Sequence, residues 1–93
     1  MTRRVRFEVR VLGVATLETF HFEEVIPSAE MPRLGEFAGP RRSLMPWRRV
    51  TAVEPGPEVW SVKLEDIDCS RLERDDVVES AALRNGGWTP RPT

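Results

Sequence analysis

In the stretch RRVRFEVRVL, residues 3 to 12, charged and apolar residues alternate from Arg4 to Val11. Its apolar side chains share one parity: Val5, Phe7, Val9 and Val11. This period of two, with β-branched and aromatic residues, indicates a strand that buries one face. After Gly13, the segment ATLETFHFEEVI places two phenylalanines two residues apart. We therefore expect a β-hairpin with arms at Val5 to Leu12 and Thr16 to Ile26.

The second arm of this hairpin carries acids where the first carries arginines. Antiparallel pairing would bring the two sets close together and fix the register, with each pair worth about 0.2–1 kcal/mol. Arginines that already have such partners are not available to a ligand. The expected pairs are drawn from Glu18, Glu23 and Glu24 on one arm and Arg4, Arg6 and Arg10 on the other.

The middle of the chain predicts three more strands, separated by proline and glycine. A short strand is expected at Glu36 to Ala38. The segment WRRVTAVE, residues 47 to 54, predicts a strand whose apolar residues do not keep one parity, so we expect a bulge near Thr51. PGP at residues 55 to 57 marks a turn, and EVWSVKLE, residues 58 to 65, predicts the returning strand.

The last part of the chain changes to a helical pattern over about residues 70 to 85. Ser70 and Glu73 have the spacing of a capping box, and Gly86 or Gly87 can end the helix in a left-handed conformation. A weak apolar stripe is expected to pack on the sheet: Leu72, Val77, Val78, Ala81 and Ala82. Residues 88 to 93 predict a flexible tail, with the alternative that Trp88 docks back.

These elements predict one domain over residues 1 to 87 of the mainly β (α+β) class. Five short strands followed by a helix favour a small, SH3-like, partly open five-stranded antiparallel barrel with a C-terminal helix. The region from Pro32 to Leu64 resembles small SH3-like proteins encoded by short bacterial and phage open reading frames. The resemblance rests on a proline, a Gly-Glu pair, a tryptophan-led strand with valines, a turn and an apolar strand: Pro32, Gly35, Glu36, Trp47, Val50, Val53, Val59, Trp60, Val62 and Leu64. The resemblance implies an interaction module and an origin in a phage or mobile element. The pattern contains no catalytic residue.

The composition favours a cytoplasmic globular protein. No apolar run approaches the ~20 residues of a membrane helix, and the N-terminal residues alternate where a signal peptide would be continuously apolar. The net charge is −1, but nine arginines against six acids give residues 1 to 50 a balance of +3, and five basic residues against nine acids give residues 51 to 93 a balance of −4. Folding can segregate or interleave these charges.

No catalytic or metal-binding constellation is apparent. Cys69 is the single cysteine and His21 the single histidine, so neither an internal disulfide nor a cysteine-rich zinc site can form. Asp66 and Asp68 share a parity, but a metal site normally gathers more ligands. We therefore expect a protein that is not an enzyme and that has no cofactor, catalytic residue or metal.

The segment GPRRSLMPWRRV, residues 39 to 50, is the candidate binding site. Its candidate contact residues are Arg41, Arg42, Leu44, Met45, Trp47, Arg48 and Arg49. Arginine, methionine and aromatic residues are enriched at protein interfaces, which favours a protein partner. The alternative is nucleic acid, held through arginine–phosphate contacts and stacking on tryptophan. Because Arg48 and Arg49 point to opposite sides of a strand, one of them is expected to face inward or to pair with an acid. An open sheet edge also leaves room for a homodimer.

Overall fold

The computed structural model describes residues 1–43, 47–71 and 75–91. The long hairpin comprises β1 (Thr2–Leu12) and β2 (Leu17–Pro27), and a 3₁₀ turn follows at Ser28–Glu30. The remaining elements are β3 (Phe37–Ala38), β4 (Arg48–Glu54), β5 (Trp60–Leu64), β6 (Ile67–Asp68), α1 (Asp76–Asn85) and β7 (Thr89–Pro90). The described residues are therefore mainly β, with a single α-helix.

The strands form a mixed sheet in the order β3-β4-β5-β1-β2-β7, with β6 also paired to β1. β1 is antiparallel to β2 but parallel to both β5 and β6. The predicted five-stranded antiparallel barrel is therefore wrong in its strand directions, and the sheet is not closed. The reason is the connection from β2 to β4, which crosses from one side of β1 to the other. The β4–β5 hairpin then places β5 beside β1, and the two strands run in the same direction. The predicted bulge is confirmed, because the β4–β5 register shifts between Val50 and Ala52.

The alternation of β1 decides where the core lies. Its odd-numbered apolar side chains are at most 2% exposed, as predicted. Together with side chains from the neighbouring strands they form the core, whose largest fully buried members are Phe7, Phe20, Ile67, Val5, Val9, Val11, Val50 and Val62. The even-numbered residues of β1 face the opposite side of the sheet, where its charged side chains lie.

The helix begins later than the sequence predicts. Asp75 is its N-cap and accepts hydrogen bonds from the backbone amides of Val77 and Val78. Ser70 does not cap α1; its hydroxyl and amide both donate to Asp68. The predicted apolar stripe is also wrong, because all four of its members that the structure describes are exposed: Val77, Val78, Ala81 and Ala82. Val77 and Val78 are more than 60% exposed, whereas Ser80 and Leu83 are the buried positions of the helix. Leu72 and Glu73 lie outside the described residues.

The residues after α1 dock onto the sheet. Gly87 adopts φ +94°, a left-handed conformation that glycine tolerates, and the amide of Trp88 donates to the carbonyl of Leu83. The indole of Trp88 is 3% exposed, and its Nε1 donates to Ser43 Oγ at 2.8 Å. β7 then pairs with β2 at Phe20 and His21. The alternative in which Trp88 docks is the one observed.

Folding interleaves the basic first half of the sequence with the acidic second half. Arg10 pairs with Asp66 at 2.8 Å, Arg91 pairs with Glu8 at 2.8 Å, and Arg84 pairs with Glu18. The two halves therefore do not form two surfaces of opposite charge. Within the described ranges, no helix is both long enough and apolar enough to cross a membrane.

Candidate interaction site

Two large aromatic side chains are exposed where β3 meets β4. Phe37 is 59% exposed and Trp47 is 55% exposed. In β3 the side chains alternate, so that Ala38 enters the core and Phe37 points outward beside Arg49, its register partner on β4. Trp47 immediately precedes β4. The sequence left open whether Trp47 belongs to the core or the surface, and the structure places it at the surface.

Phe37 and Trp47 flank a cavity of about 100 Å³, which we call the Phe37–Trp47 pocket. An engineered cavity of about 150 Å³ holds benzene, so this volume suits a small aliphatic group. The pocket reaches down to core side chains and has a charged rim. Its lining residues are Phe7, Ile26, Glu30, Pro32, Glu36, Phe37, Ala38, Gly39, Arg41 and Trp47.

Gly39 allows the indole of Trp47 to lie against the backbone. A Cβ atom at position 39 would stand 2.7 Å from Trp47 Cδ1, which is closer than real Cβ contacts allow. Any larger residue at position 39 would therefore push the indole away. This contact fixes one wall of the Phe37–Trp47 pocket.

A buried carboxylate anchors the loop beside the pocket. Glu24 is 8% exposed, and its Oε2 accepts a hydrogen bond from the backbone amide of Arg41 at 2.9 Å. The Arg41 guanidinium forms an ion pair with Glu30 at 2.5 Å. Of the predicted binding arginines, Arg41 is therefore already partly neutralised within the fold. The prediction that Glu24 pairs with the β1 arginines is therefore wrong, because its side chain is buried on the core side of β2.

The adjacent arginines of β4 have different roles. Arg48 donates from Nε to the carbonyl of Glu65 at 2.8 Å and from Nη2 to the carbonyl of Asp66 at 2.7 Å. Arg49 lies over the ring of Phe37, 4.9 Å from its centroid, and donates to the Gly35 carbonyl at 3.3 Å. Arg48, whose register partner is the buried Ala38, is thus the arginine held within the fold, but its partners are backbone carbonyls and not the acid that was expected. Arg49 belongs to the rim of the aromatic cluster.

Arg42 belongs to a different cavity, of about 460 Å³, beside β2 and the C-terminal end of α1. Its guanidinium carbon lies 6.0 Å from the centroid of Phe22. The predicted binding loop is therefore divided between two cavities. The two remaining predicted contact residues, Leu44 and Met45, lie outside the described residues.

Three arginines of β1 lie on the outer face of the sheet, and each contacts a carboxylate: Arg4, Arg6 and Arg10. Arg6 and Arg4 both contact Glu23, at 2.7 and 3.3 Å. The hydrogen bond from Arg6 is the main reason that the pKa of Glu23 lies below its ordinary value. Hydrogen bonding to Asp66 raises the pKa of Arg10. The predicted cross-strand pairing is confirmed for Arg4 and Arg6, whereas Arg10 reaches across to the acidic half of the chain.

The residues screened for catalysis or metal binding do not gather into one site. Cys69 is buried in the core, and its amide donates to the Leu12 carbonyl. Asp66 is bound by Arg10, and hydrogen bonds from Ser70 lower the pKa of Asp68. In residues 1–43, 47–71 and 75–91, no group of three or more histidine, cysteine, aspartate or glutamate side chains could hold a metal ion.

Phe37 was not among the site residues predicted from the sequence. The sequence contains a signal for its exposure, because the alternation of side chains in β3 places Phe37 and Ala38 on opposite faces. Alanine is the smaller of the two and fits a tight position in the core. Exposure of the larger residue follows from that choice. The roles of Glu24 and Glu30, in contrast, depend on the path of the loop and have no local signal in the sequence.

The chain matches no protein-family model, no curated protein and no solved structure.

Proposed function

We propose that this protein is a non-enzymatic protein-interaction module, and that the Phe37–Trp47 pocket is its contact site. The observation that carries the proposal is the pair of aromatic side chains, each more than half exposed, that line one cavity. Single exposed apolar residues are ordinary on protein surfaces. Two aromatic rings beside a pocket that opens onto the core have the composition and shape of an interface hot spot.

The charges around the pocket indicate what kind of side chain the partner inserts. Glu30, Glu36 and Arg41 line the pocket, and Arg49 lies over the ring of Phe37. Since their formal charges sum to zero, the partner is recognised by shape and apolar contact more than by net charge. We expect it to insert one aliphatic side chain into the pocket, with a shallow dependence of affinity on salt.

Nucleic acid is the second candidate, and the exposed indole of Trp47 is the observation in its favour, since an exposed aromatic ring can stack on an unpaired base. The arginines weigh against it. Arg48 is bonded to two backbone carbonyls, and Arg41 is paired with Glu30. Among the described residues of this segment, that leaves Arg42 and Arg49 for phosphate, and Arg49 already donates to the Gly35 carbonyl at 3.3 Å. Two phosphate contacts would give weak binding that falls quickly with salt.

Three further parts of the proposal rest on the sequence. Kinship with SH3-like proteins from phages or mobile elements rests on the pattern between Pro32 and Leu64. A cytoplasmic location is supported by the single cysteine, Cys69, which cannot form an internal disulfide. A homodimer is an additional assembly that an open sheet edge permits.

Affinity capture with matched variants tests the proposal. Tagged wild type, Trp47→Ser, Phe37→Ser and Val77→Ser are incubated with a lysate of the source organism, and the retained proteins are identified by mass spectrometry. Val77 is 71% exposed and lies on α1, so its replacement controls for the loss of an exposed apolar residue elsewhere. We expect at least one protein to be retained by wild type and Val77→Ser and lost by both pocket variants. Equal retention by all four proteins would exclude the pocket as the contact site.

A titration with labelled single- and double-stranded oligonucleotides separates the two candidates. Fluorescence anisotropy is measured from low to high salt. We expect no binding at micromolar protein and physiological salt. Binding that weakens steeply with salt and is lost in Arg42→Glu/Arg49→Glu would replace the protein-interaction proposal with the nucleic-acid one.

A further inference from the structure

The outer edge of β2 is paired along only part of its length. The amide of Arg91 donates to the carbonyl of Thr19, so the odd-numbered residues of β2 direct their backbone groups away from β1. β7 pairs with β2 only at Phe20 and His21. The next outward-facing positions are Glu23 and Val25, which we call the β2 edge. Among the described residues, their outward amides and carbonyls have no backbone partner.

The cavity of about 460 Å³ lies beside this edge, where β7 stops. Its walls come from β2, the loop after β3 and the end of α1. The lining residues are His21, Phe22, Glu23, Arg42, Gly86, Gly87 and Thr89. Phe22 is held in place by edge-to-face packing on Trp88, with ring centroids 5.7 Å apart. A segment that continued the line of β7 along β2 would enter this cavity.

The charges around the β2 edge are unbalanced. Arg42 forms no ion pair with any described residue, and its guanidinium lies over the ring of Phe22. Arg4 and Arg6 share the single carboxylate of Glu23. Three guanidinium groups thus lie near this edge with one exposed carboxylate, since the other acid of this part of β2, Glu24, is buried and bonded to the amide of Arg41. In the same cavity, Nδ1 of His21 is buried and has no hydrogen-bond partner in the described part of the chain.

We propose that the β2 edge binds an extended acidic peptide, which adds a strand beside Glu23 and Val25 and places a carboxylate on Arg42. Backbone hydrogen bonds to a free edge supply affinity in this mode of recognition, and neighbouring pockets supply specificity. An acidic segment fits because the arginines near the edge are in excess. A second copy of this chain fits less well, since symmetric pairing of two β2 edges would bring the same arginines together. The proposal concerns a second surface and does not depend on the Phe37–Trp47 pocket.

Amide hydrogen exchange, read by NMR on the ¹⁵N-labelled full chain, tests the proposal. The probe is the synthetic peptide acetyl-Thr-Val-Glu-Val-Thr-Val-amide, and the control peptide carries glutamine in place of glutamate. We expect saturating acidic peptide to slow exchange of the Glu23 and Val25 amides at least tenfold. We expect the glutamine peptide to bind about tenfold more weakly.

Variants identify the groups involved. Arg42→Gln is expected to weaken the acidic peptide about tenfold, whereas Arg33→Gln, an exposed arginine without an ion pair among the described residues, is expected to leave affinity unchanged. Trp47→Ser is expected to bind the peptide like wild type, so failure of the proposed function does not affect this result.

Three outcomes would overturn the inference. The first is unchanged exchange of both amides at millimolar acidic peptide. The second is that wild type binds the acidic and the glutamine peptide with equal affinity, and that Arg42→Gln binds both peptides as tightly as wild type does. The third is protection of the Glu23 and Val25 amides that rises with protein concentration without peptide, which would make a second copy of the chain the occupant.

Discussion

Replacing Arg48 with alanine is expected to destabilise the fold by about 2 kcal/mol. Arg48 bridges two consecutive carbonyls, those of Glu65 and Asp66, at the point where β5 ends and β6 begins. Hydrogen bonds from a charged donor contribute about 1.5–3 kcal/mol when sheltered and less when exposed. One of these two bonds is part-buried and the other is exposed, so we assign about 1.5 and about 0.5 kcal/mol.

The neighbouring Arg49 provides the matched control. Its contacts are an exposed ring interaction with Phe37 and a longer hydrogen bond, for which we expect a cost below about 1 kcal/mol. For a domain of this size, 1 kcal/mol shifts Tm by about 4–8 °C, so Arg48→Ala should melt about 8–16 °C lower than wild type. Arg48→Lys should restore little, because a single ammonium group does not match the two donors of the guanidinium fork.

Thermal and urea unfolding followed by far-ultraviolet circular dichroism measure both variants under the same conditions. A loss below about 0.5 kcal/mol in Arg48→Ala would show that Arg48 does not hold the β5–β6 junction. A loss in Arg49→Ala equal to that in Arg48→Ala would refute the assignment of distinct roles to the two arginines. The first result would return Arg48 to the candidate binding residues, and the second would give Arg49 a structural role as well.

Three other predictions follow from the packing and charges. Gly39→Ala should displace the indole of Trp47, which its Cβ would approach to 2.7 Å, and should therefore alter tryptophan fluorescence while leaving the far-ultraviolet spectrum unchanged. The lowered pKa of Glu23 means that its pairing with Arg6 stabilises the fold above the ordinary glutamate pKa of about 4.3, and that this contribution is lost as the pH falls through the lower folded pKa. Urea titrations should accordingly show a smaller loss of stability between pH 7 and pH 3 in Glu23→Gln than in wild type. Phe20→Ala removes a fully buried ring and should cost about 3–5 kcal/mol in the same assay, whereas a cost below about 1 kcal/mol would contradict the assigned core.

Local pattern was sufficient to predict the first hairpin. Apolar and charged residues alternate strictly from Arg4 to Val11, because one face of β1 is wholly buried. Around Thr51 the apolar residues change parity, because the bulge there turns the following side chains to the other face. Cross-strand charge placement predicted the contacts of Arg4 and Arg6 with Glu23. These features depend on residues close in sequence or directly opposite in one hairpin.

Long-range arrangement was not predictable from the same patterns. A strand such as β5 has the same periodicity whether its neighbour runs parallel or antiparallel. The sequence of β5 therefore does not indicate that it pairs in parallel with β1. Arg48 and Arg49 are equivalent in the sequence, and only the position of the β5–β6 junction distinguishes them. The helix start was misassigned because Ser70 and Asp75 are both suitable N-caps, and the choice between them depends on where Leu83 meets the core.

Site-specific photo-crosslinking from position 37 tests the proposed contact site most directly. Phe37 is replaced with the photoreactive analogue benzoylphenylalanine, which adds bulk only at an exposed ring, and the same analogue at Val77 serves as the control. After irradiation in cells of the source organism, we expect a discrete crosslinked protein from position 37 that is absent from position 77 and is lost when Trp47→Ser is added. Crosslinks to nucleic acid, or the same products from both positions, would contradict the assignment of the Phe37–Trp47 pocket as a protein-interaction site.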